Sequence, residues 1–336
     1  MESSAAPGHD LVVVGASAGG VEALKALVAG LPADLAAAVL VVLHVAPTRS
    51  TALAGILDRC GPLPARPARD GERPEPGRIY VAVPDRHLLL HDGRIMLGRG
   101  PRQNRVRPAV DALFRSAARW RGARTLGVVL SGTLDDGAAG LAAIAVAGGA
   151  ALVQDPADAL SPGMPEAALA VVPTATVAPA DGLAAEVARL VADPPGGPTG
   201  TGAHHELTAE EELSRGAGGV APEFLPGRPV SVRCPECSGG MNLVETAGTA
   251  HYLCHVGHIL SPATLVAALR ERVEQGMWTA VSILEELAMV HDQLAERARK
   301  GGAGLTVTHQ RASAAEVRAA ADVIRKHFPE FMRPTA

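Results

Sequence analysis

Charge of one sign is not in excess in this chain. Against 31 Lys and Arg stand 35 Asp and Glu, which excludes bulk attraction to nucleic acid or to an anionic membrane. Lysine is nearly absent, occurring only at 25, 300 and 326, so the basic residues are almost all Arg. No apolar run approaches the roughly 20 residues needed to span a bilayer, which excludes membrane insertion. The start, MESSAAPGHD, has neither the charged n-region nor the apolar h-region of a secretory signal. Four cysteines, three of them clustered late, are too few for a disulfide scaffold. These absences predict a cytoplasmic protein of two domains, or one domain with an appendage.

What is present begins with an alternation. Apolar runs at 11–14, 38–43, 79–83, 126–130, 150–153 and 174–177 have the unbroken character of buried parallel strands. Ala- and Leu-rich helical stretches lie between them at about 19–30, 49–59, 108–120, 137–147 and 181–192. In HLLLHDGRIMLG, Asp92-Gly93 between two apolar runs predicts a hairpin. Residues 8–192 are therefore expected to form an α/β domain, a doubly wound and mostly parallel sheet.

Residues 193–228 have the Pro, Gly and Thr content of a linker, with a short capping-box helix at Thr208-Ala-Glu-Glu211. A small module is expected over 229–262 and a helical tail over 263–333. The tail's first helix, to about Lys300, carries Val266, Leu269, Val273, Gly276, Ala280, Ile283, Leu287, Val290 and Leu294 three and four apart. Such a seam suits an antiparallel hairpin, whose second helix is expected to start near Ser313-Ala-Ala-Glu316, or a coiled-coil homodimer through 266–294.

The turn GASAGG after the first strand admits three readings. It is a degenerate phosphate loop, a nucleophile elbow exposing Ser17, or a plain turn in which Ser17 caps a helix. A dinucleotide site predicts an acidic residue ending the second strand, and that strand ends in His44. Asp136 follows a third strand, in VVLSGTLDDGAAG. Ser, His and Asp at the carboxyl ends of three strands of one sheet are the parts of a nucleophilic triad. Serine needs an imidazole to take its proton, and the carboxylate fixes the imidazole's tautomer. The chain order Ser17, His44, Asp136 is not that of an α/β-hydrolase.

Over roughly residues 8–192 these segments resemble the catalytic domain of CheB-type chemotaxis protein-glutamate methylesterases. GASAGG resembles the family's GAS[TA]GG around its nucleophile. VVLHVAPTRSTALAGIL resembles the segment of its histidine, and VVLSGTLDDGAAGL its L[TS]GxxxDGxxGL. RVRPAVDALFRSAA and QDPADALSPGMPEAAL agree as well. The resemblance implies hydrolysis of γ-glutamyl methyl esters on chemoreceptor helices, with methanol released, and glutamine deamidation as a second activity. It implies no cofactor for the chemistry, and an oxyanion hole near Ala18 and Thr133. Better-known members have Thr at the position of Ala18 and Met-Gly at Thr133-Leu134. Their receiver domain is expected to be missing here, since only ten residues precede the first apolar run; a regulatory partner or the C-terminal half would take its place. Arg99, Arg102, Arg105 and Arg107 are either a solvated surface or a contact to acidic receptor helices.

Cys234-Pro-Glu-Cys237 and Cys254-His-Val-Gly-His258 have the C-x2-C and C-x3-H spacing of a closed tetrahedral zinc site, a zinc ribbon with a structural ion. His255 is the alternative fourth ligand. His258 is favoured because stand-alone CheB-like proteins often end in a similar CPxC…CxxGH module. Cys60 is expected to be an idle thiol, and His204-His205-Glu206 a solvated stretch. Two rivals remain: a non-catalytic signalling scaffold, and a hydrolase acting on an ester or amide outside chemotaxis.

Overall fold

The computed structural model describes residues 8–44, 52–197, 211–216 and 225–331. Its centre is a seven-stranded sheet. The strands are β1 (Leu11–Ala16), β2 (Ala38–Leu43), β3 (Ala65–Pro67), β4 (Ile79–Val81), β7 (Thr125–Val129), β8 (Ala150–Gln154) and β9 (Thr176–Ala178). They run in the order β3-β4-β2-β1-β7-β8-β9, and every neighbouring pair is parallel. The chain winds outward from β1 on one side, then restarts at β7 on the other. That reversal makes the carboxyl ends of β2, β1 and β7 the switch point where open α/β sheets place their sites.

Both faces of the sheet are covered, which is why β1 and β2 are apolar at every position. The two-residue period of a strand divides their side chains. Val12 and Val14 pack with Leu24 and Leu27 of α1 (Gly20–Gly30), Leu57 of α2 (Ala52–Asp58) and Val187 of α6 (Leu183–Ala192). Leu11 and Val13 pack with Phe114 of α3 (Val110–Arg121), Leu141 of α4 (Ala138–Val146) and Met164 of α5 (Gly163–Val171). Each such side chain, fully buried, contributes roughly 1.5–3 kcal/mol. The hairpin of β5 (His87–His91) and β6 (Arg94–Gly98) turns on Asp92 at φ 45° and Gly93 at φ 68°, the left-handed pair that a type I′ turn requires.

Several expectations are corrected. β3 and α5 were not foreseen: one is three residues long, and the other opens Gly-Met-Pro, a weak helix signal. The linker is partly built into the fold. Residues 211–215 are helical, and Glu211 is buried, its carboxylate accepting from His91 Nδ1 (2.5 Å), Arg119 Nη1 (2.7 Å) and Trp120 Nε1 (2.8 Å). Thr208, His204 and His205 lie outside the described residues.

The chain divides into two compact units between Leu265 and Val266. The ribbon therefore belongs to the first unit. Its antiparallel sheet comprises β10 (Arg228–Arg233), β11 (Gly240–Thr246), β12 (Thr249–Cys254) and β13 (Ile259–Leu260). It buries Val244, Leu253 and Ile259 with Leu213 of the supposed linker.

The second unit is an antiparallel hairpin of the helix Pro262–Lys300, from Val266 on, and the helix Gly304–Phe331, so the second helix starts nine residues before the expected Ser313. Trp278 packs against Phe328 with the ring planes tilted by 52°, and Arg318 pairs with Asp292. The expected apolar seam is not the buried one. Val281, Ala288 and Ala295 are buried, seven apart, as are Ala314 and Ala321, while Val266, Ile283, Leu287, Val290 and Leu294 face outward. Alanines let two backbones approach closely, and the larger residues are left on the other face. Among the described residues, no helix is long and apolar enough to cross a membrane.

His87 at the start of β5 is fully buried, donating from Nε2 to the Pro101 carbonyl (2.9 Å) and accepting the Ala109 N–H on Nδ1 (3.3 Å). Burial pushes it down to about 4, with the Arg107 charge adding and the Pro101 carbonyl opposing. The unfolded chain binds this proton more readily than the folded one. The stability His87 contributes is therefore complete above the ordinary value of about 6.5 and lost as pH falls toward 4, on the order of 3 kcal/mol in all. Amide exchange in β5–β6 is expected to quicken across that window in the wild type and much less in His87→Asn. Equal acceleration in both proteins would acquit His87.

Candidate active site

Ser17 follows β1 on a turn shaped by its neighbours. Its N–H donates to the Ser131 carbonyl (2.9 Å), and Ser131 Oγ donates to the Ala18 carbonyl (2.7 Å), so the loop after β7 clamps the loop after β1. Gly19 caps α1 at φ 74°, a conformation costly to any residue with a Cβ. Gly132 lies so close that a Cβ there would stand 2.0 Å from Met164 Sδ and 2.9 Å from Ser17 Cβ. Ser17 is thus fixed by packing on one side and half-exposed on the other.

His44, one residue past β2, reaches across to Ser17. The distances are 3.1 Å from His44 Nδ1 to Ser17 Oγ and 2.7 Å from Nε2 to Asp136 Oδ2. A carboxylate can only accept, so the proton sits on Nε2, and Nδ1 is left to accept from the serine hydroxyl. The carboxylate end is the more elaborate. Asp136 Oδ2 also accepts the Val110 N–H (2.6 Å), and Oδ1 accepts from Asn104 Nδ2 (2.9 Å) and the Asp111 N–H (3.1 Å). Val110 and Asp111 open α3, whose positive end adds to the effect. Burial alone would raise this acid, but the bond and charge of His44, the Val110 N–H and Asn104 hold it down at about 2. Asp136 is therefore a standing carboxylate.

Asn104 and Asp111 were not singled out as functional residues from the sequence. Asp111 is buried and accepts the N–H groups of Gly137 (3.1 Å) and Gly140 (2.7 Å), tying α3 to the turn that carries Asp136. Burial pushes it up to about 7, with Arg115 opposing and Asp136 adding. No local pattern marks either residue, since their contacts to Asp136 span 32 and 25 positions.

The other expected residues are distributed as follows. Ala18 and Thr133 are exposed beside Ser17, and Leu134, also exposed, holds φ 61° where better-known CheB-type members have glycine. Arg107 is taken up by Asp85 (2.6 Å) and the Gly100 carbonyl (2.7 Å), and Arg105 by Glu236 of the ribbon (3.2 Å). Arg105 stays partly exposed while tied to the ribbon, and Arg107 is the more buried of the two. A cavity of about 450 Å³ beside Leu11, Ala38 and Trp120 opens at the amino ends of β1 and β2, the edge away from the triad.

The ribbon gathers Cys234, Cys237, Cys254 and His258, with all four donor atoms within 4.8 Å of one another. Cys237 Sγ and Cys254 Sγ are 3.7 Å apart, and Cys254 Sγ and His258 Nδ1 3.5 Å. A tetrahedral Zn²⁺ with Zn–S bonds near 2.3 Å needs S···S edges of about 3.8 Å, so the donors fit. The His258 N–H points at Cys254 Sγ (3.3 Å), a bond that favours the thiolate. His255 is exposed and packs on Gly239, outside the cluster.

Residues 12–187 match the family model described as CheB methylesterase. A protein-glutamate methylesterase/protein-glutamine glutaminase 2 of Xanthomonas oryzae pv. oryzae (strain MAFF 311018) is 42% identical over 186 residues, covering 54% of this chain and 52% of its own length. A relative of the same name in Anaeromyxobacter dehalogenans (strain 2CP-C) is 42% identical over 172 residues, with 51% and 50% covered. Among solved structures, the Thermotoga maritima CheB methylesterase catalytic domain superposes with a TM-score of 0.52 at 32% identity, over 54% of this chain and 98% of that one. The chain spans about half the length of the curated relatives it matches.

Proposed function

The chain belongs to the CheB methylesterase family, and from that membership we propose that it hydrolyses γ-glutamyl methyl esters of chemoreceptor helices. The observation that carries this reading is the unbroken hydrogen-bond line from Ser17 through His44 to Asp136. Ser17 Oγ attacks the ester carbonyl while His44 Nδ1 takes its proton, and Asp136 stabilises the imidazolium. Collapse of the tetrahedral intermediate returns that proton to the methoxide, which leaves as methanol. Water, deprotonated by the same nitrogen, then cleaves the acyl-serine and releases a glutamate carboxylate. The Ser17 N–H is engaged by Ser131, so the developing oxyanion falls to the N–H groups of Ala18 and Thr133. Attack on a glutamine amide would release ammonia by the same route, a second activity in keeping with the names of the relatives.

Methanol release from methylated receptor helices by the purified chain tests the substrate. A chain whose Ser17 reacts with a serine-directed phosphonate, but which releases no methanol from them, works on another ester or amide.

Cys234, Cys237, Cys254 and His258 would hold a structural Zn²⁺, four protein ligands leaving no position open for chemistry. The ion would staple a sheet with a very small core of its own. Freshly purified protein is expected to carry about one zinc per chain by metal analysis, and Cys234→Ser much less. A metal-free wild type would refute the assignment.

A further inference from the structure

The ribbon touches the triad's carboxylate through one residue. Asn104 is buried in a left-handed conformation at φ 49°, and its side chain faces two ways. Nδ2 donates to Asp136 Oδ1 (2.9 Å) and Asp111 Oδ2 (3.2 Å). Oδ1 accepts the Ser261 N–H (2.9 Å), and the Asn104 N–H donates to the Ile259 carbonyl (2.8 Å). Ile259 directly follows His258 of the Cys3His cluster, and Ser261 comes two residues later. Ser261 Oγ donates to Asp135 Oδ1 (2.6 Å), next to the catalytic aspartate, and accepts the Thr264 N–H (3.0 Å) at the start of the long helix. A second tether lies alongside, where Arg105 pairs with Glu236, between Cys234 and Cys237. Both limbs of the metal cluster therefore grip the 104–105 turn, and that turn orients Asp136.

We propose that Asn104 is a positioning residue for the triad, and that the ribbon, closed by its metal, holds it in place through Ile259, Ser261 and Glu236. Metal loading of the ribbon would then set the rate of Ser17 chemistry without any ligand reaching the active site. The inference rests on the esterase and zinc readings above. A folding staple needs none of these contacts. An element that locks the turn carrying Asn104 transmits a displacement, and misplacing a catalytic group by about 1 Å costs on the order of 10²-fold in rate.

The test uses the full-length chain as purified. Its readouts are the phosphonate labelling rate of Ser17 and the low-field proton resonance of the His44–Asp136 hydrogen bond. Asn104→Ala is expected to slow labelling and kcat on the order of 10²-fold with KM unchanged, to broaden or shift the low-field proton, and to leave zinc content near wild type, while the Ser261 N–H it strands lowers the melting temperature. Chelation of the metal from the wild type should slow labelling by a similar factor, reversibly on adding Zn²⁺. In Asn104→Ala, chelation should add little, because both changes act through one contact. Wild-type labelling that is indifferent to chelation, or an Asn104→Ala chain labelled at the wild-type rate, would overturn the proposal. Should Asn104→Ala fail to fold, the reversible chelation series decides alone. If the phosphonate labels neither metal state, the esterase reading is what fails. The response of the low-field proton to metal removal then decides the coupling.

Discussion

Ser17→Ala is expected to lower ester hydrolysis by about 10⁴- to 10⁶-fold while leaving the fold intact. Triad groups act as a unit, and loss of the nucleophile leaves only binding and oxyanion stabilisation, worth roughly 10³–10⁴ over water. The hydroxyl makes one side-chain contact among the described residues, to His44 Nδ1, so its removal strands no buried partner. The turn is set by the backbone bonds of Ser17 and Ser131 and by Gly19 and Gly132, none of which alanine disturbs. Far-ultraviolet dichroism and melting temperature should therefore match wild type. A variant that keeps a tenth of the activity would mean that another group attacks the ester.

Asp136→Asn should be nearly as severe and, unlike Ser17→Ala, should also destabilise the protein. All four contacts of this carboxylate come from donors: His44 Nε2, the Val110 and Asp111 N–H groups, and Asn104 Nδ2. An asparagine has a single oxygen, so its NH2 must face two donors wherever it turns. Leaving buried donors unsatisfied costs about 1–3 kcal/mol each. If the NH2 turns toward His44, it selects the tautomer with the proton on Nδ1, which cannot accept from Ser17. The corresponding change in a serine protease lowers kcat by about 10⁴. The expected result is a loss of that order together with a lowered melting temperature. Full activity with a lowered melting temperature would make Asp136 structural only.

The alignment of Ser17, His44 and Asp136 was legible because the strands that carry them are legible. β1, β2 and β7 are unbroken apolar runs, and a parallel sheet aligns their carboxyl ends whatever lies between them. Ser17, His44 and Asp136 needed only that alignment. The surroundings of Asp136 were not legible, because Asn104 lies in a turn and Asp111 in a helix, and neither periodicity nor spacing ties a residue to a partner that far along the chain. The Cys3His cluster could be read from spacing, since each pair lies on a local turn. That the ribbon packs beside the active site could not, because the docking runs through backbone groups of Ile259 and Ser261, which carry no residue signature. In the tail, two stripes competed for one interface. The larger side chains suggested one seam, but Ala288, Ala295, Ala314 and Ala321 allow closer approach and form the other.

The reactivity of Ser17 is the most direct test of the proposed triad. Incubating the full-length chain with a fluorophosphonate and mapping the adduct by peptide mass spectrometry tests it in one step. The triad predicts a single adduct, on Ser17, formed far more slowly in Asp136→Asn. An unlabelled Ser17, or one labelled equally fast in wild type and variant, would contradict it.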